Sequence, residues 1–277
     1  MSAPFAVVTP AFRAQATIVP TVRSLLAQTC TDWQLWLVAD DGFDYAGFLS
    51  DAGINDLRIR YLDSGGIGLG ASRARNVALD AITAPYVAIL DADDRFKPRK
   101  LELALAALAD HAIVTCALDV MTDSFVHLRH VGDGPDRVLT PGQHKFVSLS
   151  MDSMVIWDRR RTDARYDVTM SNMTDLELLL QLYGPVGSSF HLGAPLHDYI
   201  KRASSMSNGA NVAAGMIASK TTLLDRLREG AYGLPASDVA GLVEFLDISL
   251  GAEAEYGAAL AARPGLLFED HLQPRLT

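Results

Sequence analysis

Short apolar runs alternate with segments of helical periodicity through the first 118 residues. The runs predict five strands, which occupy residues 5–8, 33–39, 57–62, 86–90 and 112–118. Apolar residues three and four apart predict helices that begin near Thr17, span residues 71–81 and cover residues 101–108. Because strands and helices alternate, we predict an α/β fold whose parallel strands end at the same edge of one sheet.

Acidic residues stand directly after two of these strands. They are Asp40 and Asp41 after residues 33–39, and Asp91, Asp93 and Asp94 after residues 86–90. An unpaired carboxylate is costly to bury, so the strand ends are expected to open into a crevice, which is where open α/β sheets bind ligands. Asp91 and Asp93 are two residues apart, and their oxygens can converge on one hard divalent cation. Two simpler roles compete: capping of the helix that begins near Pro98, and turn formation before Gly42.

A glycine-rich loop follows the third predicted strand. Its spacing is Gly66-x-Gly68-x-Gly70, which differs from the G-x-G-x-x-G of dinucleotide-binding folds, and it does not follow the first strand. We therefore exclude NAD binding. The helix at residues 71–81 carries Arg73 and Arg75 in its first turns and predicts a phosphate site. The alternative is a helix with two solvated arginines.

The second half of the chain has a weaker pattern. Residues 119–143 are rich in Gly, Pro and Asp and predict an irregular segment, after which residues 146–157 are strand-like. Thr174 and Asp175 open a predicted helix, in which an acid in the first turn favours the dipole. Residues 191–200 form one more predicted strand, residues 201–207 a basic, hydroxyl-rich loop, and the chain from Ala213 two or three amphipathic helices, with loosely ordered residues from Pro264 onward.

Composition narrows the class of protein. The chain has 277 residues, 49% of them apolar, and a formal charge of −9, which argues against a nucleic-acid partner. A bound cation would help such an acidic protein to hold an anionic substrate. Cys30 and Cys116 lack ligand-like spacing and are interpreted as reduced core residues. No apolar run is long enough to cross a bilayer, so we expect a cytoplasmic protein whose only membrane contact is peripheral, at the inner surface.

Five short segments of the first hundred residues are informative because of their sequence and their order along the chain. They read VTPAFR at 8–13, SLLAQT at 24–29, LVADDG at 37–42, GASRARN at 70–76 and LDADD at 90–94. Together they resemble the motifs of the family 2 glycosyltransferases, which have the GT-A fold. In the second half, TDLEL at 174–178 resembles the family's E-D-x-x-L helix start, and residues 199–207 resemble its Y-x-x-H-x-x-S-x-S loop.

This resemblance implies a Rossmann-like, mixed but mostly parallel sheet flanked by helices, with further helices at the C-terminus. It implies a nucleotide-sugar-binding half at residues 1–118, an acceptor-side half of the same domain at 119–210, and a helical extension at 211–277. The implied reaction is inverting transfer of a sugar from a nucleotide-diphospho-sugar, with UDP-sugar favoured, to an acceptor hydroxyl. The acceptor, whether saccharide, lipid-linked glycan or small molecule, is left open.

The resemblance also implies roles for individual residues. Thr9, Pro10 and Phe12 would contact the base of the nucleotide, and Asp41 would accept a hydrogen bond from a uracil-type N–H. Arg75 would approach the phosphates. Asp91 would face the ribose or the waters of the metal ion.

Asp93 would bind Mg²⁺ or Mn²⁺, and Asp175 would act as the general base. Two positions depart from the family pattern. Arg202 stands where the family has a His and cannot bind a metal, so it is expected to contact the diphosphate, or else the ion has fewer protein ligands. Thr174 replaces the Glu beside the proposed base. These departures motivate one alternative, a binding module without turnover. A second alternative, independent of them, is a sugar nucleotidyltransferase. Such an enzyme would need a Gly- and Arg-rich loop after the first strand, and the sequence has residues 9–13 there instead.

Overall fold

The computed structural model describes residues 4–149, 152–201 and 212–276. Within them the chain forms ten strands, nine α-helices and one 3₁₀ helix. The strands are β1 (Phe5–Ala11), β2 (Trp33–Ala39), β3 (Ile59–Asp63), β4 (Tyr86–Ile89), β5 (Arg95–Phe96), β6 (Ile113–Thr122), β7 (His127–Val131), β8 (Arg137–Leu139), β9 (Ile156–Asp158) and β10 (Ser189–Lys201). The helices are α1 (Ile18–Leu26), α2 (Tyr45–Asp51), α3 (Ala71–Ala81), α4 (Lys100–Ala107), α5 (Pro141–Val147), α6 (Thr174–Val186), α7 (Val212–Arg228), α8 (Ala236–Ala262) and α9 (Phe268–Leu272), followed by the 3₁₀ helix Gln273–Arg275.

All the described strands belong to one mixed sheet. Eight of them follow the order β3-β2-β1-β4-β9-β6-β10-β5, and in addition β7 pairs with β6 and β8 pairs with β10. The first four strands in this order are parallel, and β6 and β10 are also parallel to each other. Strand β9 is antiparallel to both of its neighbours and joins the two parallel parts. The predicted α/β class, with a largely parallel central sheet and flanking helices, is therefore confirmed.

Successive side chains at the start of β1 are apolar and point to opposite faces of the sheet, so helices pack on both faces. Phe5 and Val7 pack on one face with α1, α2 and α4, whereas Ala6 and Val8 pack on the other with α3 and α6. All four side chains are fully buried, as expected for a central parallel strand. The acid-bearing ends of β2 and β4 flank β1 and point in the same direction, so they meet at one edge of the sheet, as predicted.

The prediction that residues 119–143 are irregular is wrong. Strand β6 continues to Thr122, and residues 127–131 and 137–139 form β7 and β8. The Gly, Pro and Asp residues there lie mainly in the turns between short strands, as at Gly132 and Gly134, which both have positive φ. The proposed division after residue 118 falls within β6, a strand of one continuous sheet.

Two further segments differ from the sequence-based expectation. Residues 141–147 form helix α5, where the pattern from residue 146 onward predicted a strand, and only residues 156–158 form β9. At the start of α5, the Gln143 side chain accepts a hydrogen bond from the Thr140 N–H at 3.2 Å, which satisfies an N-terminal donor. The chain beyond Pro264 is also helical, because Phe268 and Leu272 pack against α7 and α8.

The C-terminal helices form a third apolar cluster against α6. Leu176 and Leu180 of α6 contact side chains of α7, α8 and α9. This packing places the C-terminal part of the chain beside the edge of the sheet that carries the acids. None of the helices that the structure describes has both the length and the apolar character needed to cross a membrane.

Candidate active site

A large cleft opens at the carboxyl ends of β1 and β4. Its volume is about 1520 Å³, above the roughly 300–1000 Å³ of most small-molecule sites, so it has room for two substrates. Its walls come from the end of β1 and the segment after it, the glycine loop, the segment after β4, the start of α6 and the C-terminal helices. The lining includes residues 10–14, 68–72, 91–93, 168, 170–176, 199–201 and 265–269.

Arg75 lies at the centre of the cleft and joins two carboxylates. Its Nη2 donates to Asp91 Oδ1 at 2.6 Å, and its Nη1 lies 3.3 Å from Asp175 Oδ1. The guanidinium is 6% exposed and sits 4.9 Å from the centroid of the Tyr166 ring. Burial alone would lower the pKa of Arg75, but Asp175 and Asp91 hold it well above its usual value. This arginine is therefore a fixed positive charge between two acids that lie 84 residues apart in the sequence.

Asp175 lies in the first turn of α6, and its surroundings favour a proton acceptor. Burial raises the pKa of this carboxyl above its usual value, although the positive charge of Arg75 opposes the shift. Its Oδ1 is buried and makes the ion pair with Arg75, and the neighbouring Tyr166 hydroxyl also opposes the rise of this pKa. Met173, two residues before Asp175 at the N-cap of α6, has a left-handed backbone with φ of 56°, an uncommon conformation for this residue type that often marks functional sites.

Asp91, Asp93 and Asp94 place three carboxylates in one short turn. Asp93 is half-buried in the cleft wall. Asp94 is buried, and it accepts from the Ile200 N–H at 2.8 Å and contacts His197 Nε2 at 3.0 Å. Burial, followed by repulsion from Asp93 and Asp91, raises the pKa of Asp94 well above its usual value. A hard divalent cation beside Asp93 would relieve this repulsion, so these residues fit the Mg²⁺ or Mn²⁺ that the sequence predicted.

The two acids after β2, Asp40 and Asp41, accept hydrogen bonds from neighbouring loops. Asp41 Oδ2 accepts from the Arg13 N–H at 2.6 Å and from the Tyr45 hydroxyl at 3.0 Å, and its Oδ1 accepts from the Phe43 N–H at 3.1 Å. Among the described residues, Asp41 does not contribute to the lining of the cleft, whereas Asp40 does. The structure thus gives Asp41 three protein donors, and the implied contact with a uracil-type N–H stays a prediction.

Asp40 fixes the glycine loop. It is 3% exposed, its Oδ1 accepts from the Ser64 hydroxyl at 2.6 Å, and its Oδ2 accepts from the Gly70 N–H at 2.9 Å. Gly70 has φ of 96° and is the residue before the first turn of α3, which carries Arg75. Sequence reasoning did not identify this role. A signal was present, because an acid at the end of a buried strand needs donors, and a nearby glycine loop supplies backbone N–H groups.

The predicted base-binding residues fall into different environments. Pro10 and Phe12 line the cleft, and the ring of Phe12 is 46% exposed, with Arg13 5.0 Å from its centroid. Thr9 is fully buried inside β1 and, among the described residues, is not part of the cleft lining. Arg202 and the rest of the predicted basic loop after Lys201 lie outside the described residues.

Sequence reasoning also missed buried ion pairs on the C-terminal side of the cleft. Lys220 of α7 pairs with Glu253 of α8 at 2.7 Å, and both side chains are almost fully buried. Lys201, at the end of β10, pairs with Glu269 of α9 at 2.6 Å. These four residues all line the cleft. The partners are at least 33 residues apart, and no local pattern relates them.

Fold and site together define a class of protein. A largely parallel α/β sheet with acids at its strand ends, beneath a cleft large enough for two substrates, is typical of enzymes that use nucleotide-linked substrates. The model of the family named Glycosyl transferase family 2 matches residues 6–161, more than half of the chain. The chain belongs to this family, and the predicted resemblance is confirmed.

Curated relatives match the first part of the chain. A segment of 107 residues is 32% identical to the Escherichia coli UDP-Glc:alpha-D-GlcNAc-diphosphoundecaprenol beta-1,3-glucosyltransferase WfgD, covering 39% of this chain and 42% of that protein. A segment of 103 residues is 32% identical to the glycosyltransferase GlyG of Streptococcus pneumoniae, covering 37% of this chain and 34% of that protein. The matched segments thus span less than half the length of either relative.

Two solved structures share the fold over almost the whole chain. Residues 1–349 of Staphylococcus aureus TarS, in complex with UDP-GlcNAc, superpose with a TM-score of 0.68 at 15% identity and cover 98% of this chain and 78% of that one. The mannosyltransferase PcManGT from Pyrobaculum calidifontis, with GDP-Man and Mn²⁺, superposes with a TM-score of 0.60 at 14% identity and covers 99% and 84%. At these identities the likeness establishes the fold alone, and the fold is GT-A.

Proposed function

We propose that this protein is an inverting, divalent-metal-dependent glycosyltransferase that moves a sugar from a nucleotide-diphospho-sugar to an acceptor hydroxyl. The observation that carries the proposal is the contact of one buried guanidinium, that of Arg75, with both Asp91 and Asp175. The contact fixes the end of β4, where the donor diphosphate would bind, relative to the start of α6, where the base would stand. Family membership supports the same reaction class.

The donor half of the cleft is assigned to the segment after β1 and the end of β4. Pro10 and Phe12 would contact the nucleotide base, since both line the cleft and the Phe12 ring is exposed. Asp93 would hold Mg²⁺ or Mn²⁺, with Asp91 beside it facing the ribose or the waters of the ion. When bound, the ion would supply positive charge to stabilise the nucleoside diphosphate as it leaves.

Asp175 is the proposed general base. A catalytic base works best when its pKa approaches the working pH, and burial shifts this carboxyl in that direction. Its Oδ1 is buried and ion-paired with Arg75, whereas the side chain as a whole is 28% exposed. The other oxygen, Oδ2, could therefore accept the proton of the acceptor hydroxyl as the hydroxyl oxygen bonds to C1 of the sugar and the bond from C1 to the diphosphate breaks. Attack from the face opposite the diphosphate would invert the anomeric configuration.

For Arg75 we propose a role different from the predicted approach to the phosphates. Both of its terminal nitrogens contact carboxylates, and the Tyr166 ring lies 4.9 Å from the guanidinium carbon. Arg75 would therefore position Asp91 and Asp175. The diphosphate would then be neutralised by the ion at Asp93 and by Arg202, whose position lies outside the described residues.

The name of one relative supports a donor base and a class of acceptor. The E. coli relative is named for a UDP-glucose donor and a lipid diphosphate acceptor, and this name favours a UDP-sugar and a lipid-linked glycan here as well. We accordingly propose action at the inner membrane surface, with residues 119–210 and the helices of 211–277 forming the acceptor side. Lys201 and Lys220 line that side of the cleft, where each is held in an ion pair with a glutamate.

Release of nucleoside diphosphate tests the proposal. The purified chain is incubated with UDP- and GDP-sugars and a panel of hydroxyl acceptors, with Mn²⁺ in one arm and a chelator in the other. We expect acceptor-dependent release of UDP with Mn²⁺ and its loss with chelator, and NMR of the product should show inverted anomeric configuration. Binding of nucleotide without release from any donor would instead support the binding module, and retained configuration would contradict Asp175 as the base.

A further inference from the structure

Three side chains outside the cleft converge on one point. They are Asp119 of β6 and His127 and His130 of β7, and their ligand atoms all lie within 4.8 Å of one another. His127 Nε2 is 3.1 Å from Asp119 Oδ1, and His130 Nδ1 contacts the same oxygen. Among the described residues, none of these three contributes to the lining of the cleft.

An irregularity in the sheet explains how both histidines reach the same face. Residues three apart in a regular strand point to opposite faces. Here Asp119 pairs with His130, but Met121 pairs with His127, so Leu128 is an extra residue in β7. This bulge turns His127 to the face that already carries Asp119 and His130. The convergence is thus built into the strand pairing.

The geometry matches the ligand set of a borderline divalent cation. Two imidazoles and one carboxylate are the three protein ligands of many zinc sites, and ligand atoms around one zinc ion lie about 3.0–3.5 Å apart when its bonds are about 2.1 Å long. Asp119 is buried, whereas the side chains of His127 and His130 are 41% and 50% exposed. An ion could therefore enter from solvent and keep a water molecule as a further ligand. Imidazole nitrogens favour Zn²⁺, Co²⁺ or Ni²⁺ over Mg²⁺.

Neighbouring charges orient the carboxylate. Lys97 contacts the other oxygen of Asp119 and lies 3.5 Å from Asp198 Oδ1 on β10. Outer contacts of this kind fix the direction in which a ligating carboxylate points. Asp119 and Asp198 are register partners in parallel strands and so share one face of the sheet, while His197, the next residue along β10, points to the opposite face and contacts Asp94. The cluster is therefore separated from Asp94 by the sheet itself.

We propose that Asp119, His127 and His130 form a binding site for a borderline divalent cation such as Zn²⁺, separate from the donor-site cation at Asp93. The ion would tie the β6–β7 hairpin at its bulge and stabilise this edge of the sheet. Binding of a cation by these three residues would not require sugar transfer at the cleft.

Titration with ZnCl₂ in the absence of nucleotide tests this site. Calorimetry on the full chain should show saturable binding of one Zn²⁺ per chain, and bound Co²⁺ should give the absorption bands of nitrogen and oxygen ligation. We expect His127→Ala and His130→Ala each to weaken Zn²⁺ binding at least about 10-fold, the loss that removal of even an outer-sphere partner of a metal ligand can cause. Both side chains are exposed, so circular dichroism should confirm that these variants fold.

Two control variants make the result specific. His111 stacks on the Phe190 ring at 4.6 Å, away from β7, and His111→Ala should bind Zn²⁺ as the parent does. Asp93→Ala should also retain the site, which separates it from donor-site metal. Absence of saturable binding in the parent chain would overturn the proposal, and so would unchanged binding in the His127→Ala/His130→Ala double variant.

Discussion

Arg75 Nη1 lies 3.3 Å from Asp175 Oδ1, although 100 residues separate the two in the sequence. The contact joins α3, which follows the glycine loop, to α6, on which the C-terminal helices pack. Arg75 also holds Asp91 at 2.6 Å, so the positions of two acids depend on one side chain. Removing a residue of this kind should affect stability and catalysis together.

We expect Arg75→Met to lower the free energy of unfolding by about 3–5 kcal/mol, the usual effect of leaving buried charges without their partner. Arg75→Lys should fold better than Arg75→Met yet lose most of its kcat, because an ammonium cannot span two carboxylates as a planar guanidinium does. Urea denaturation and steady-state kinetics measure the two effects. Arg73→Met, an exposed change on the same helix, is the matched control. Parent-like kcat in Arg75→Lys would show that the bridging geometry is not needed.

Asp175→Asn tests the proposed base. The change keeps shape but removes the proton acceptor, so transfer should fall by about 10²–10⁴-fold, the usual contribution of general base catalysis. Binding of the donor should stay close to that of the parent, because the proposed base faces the acceptor. Donor affinity is measured by calorimetry with a UDP-sugar, and transfer by UDP release. Asp80→Asn, in which the replaced side chain is 70% exposed, is the matched control. Transfer at the parent rate in Asp175→Asn would place the base elsewhere.

The elements with regular apolar spacing were predictable, and the contacts between distant elements were not. Strand β2 and helix α3 have the bounds that the apolar pattern predicted, because each packs against the core in the regular manner of its type. Strand β7 was missed because its bulge breaks the two-residue alternation on which strand prediction depends. The partners of Arg75 lie 16 and 100 residues away, and only the folded sheet brings them together.

Asp93→Ala should separate metal binding from stability. We expect loss of most transfer activity and a change in the free energy of unfolding within about 0.5 kcal/mol. The reason is that Asp93 raises the pKa of buried Asp94 by repulsion, so its removal relieves an unfavourable interaction. Thermal denaturation and Mn²⁺-dependent UDP release measure the two effects. A large loss of stability would mean that Asp93 supports the fold. Parent-like dependence of the rate on Mn²⁺ would mean that the ion binds elsewhere.

Removing one partner of the buried pair Lys220 and Glu253 should destabilise the C-terminal helices. Glu253→Leu leaves an ammonium that burial already disfavours, as the lowered pKa of Lys220 indicates, and the expected loss is about 3–5 kcal/mol. The double change Lys220→Met/Glu253→Leu should recover most of that loss, because it leaves no unpaired charge. Urea denaturation of both variants gives the comparison. A double variant no more stable than Glu253→Leu would show that the pair is needed for more than charge balance.

The fall of kcat/KM at low pH, the acidic limb of the pH profile, should reflect protonation of Asp175. The base must be ionised to act, and burial raises its pKa, so kcat/KM should fall on acidification at a pH above the usual aspartate value of 3.8. Arg75 opposes this shift, and its replacement in Arg75→Met should therefore move the limb to still higher pH. Arg73→Met should leave the limb in place. The profile is measured as UDP release at saturating Mn²⁺ over the range in which the chain stays folded. A limb that does not move in Arg75→Met would mean that the group titrating in the profile is not the carboxyl beside this guanidinium.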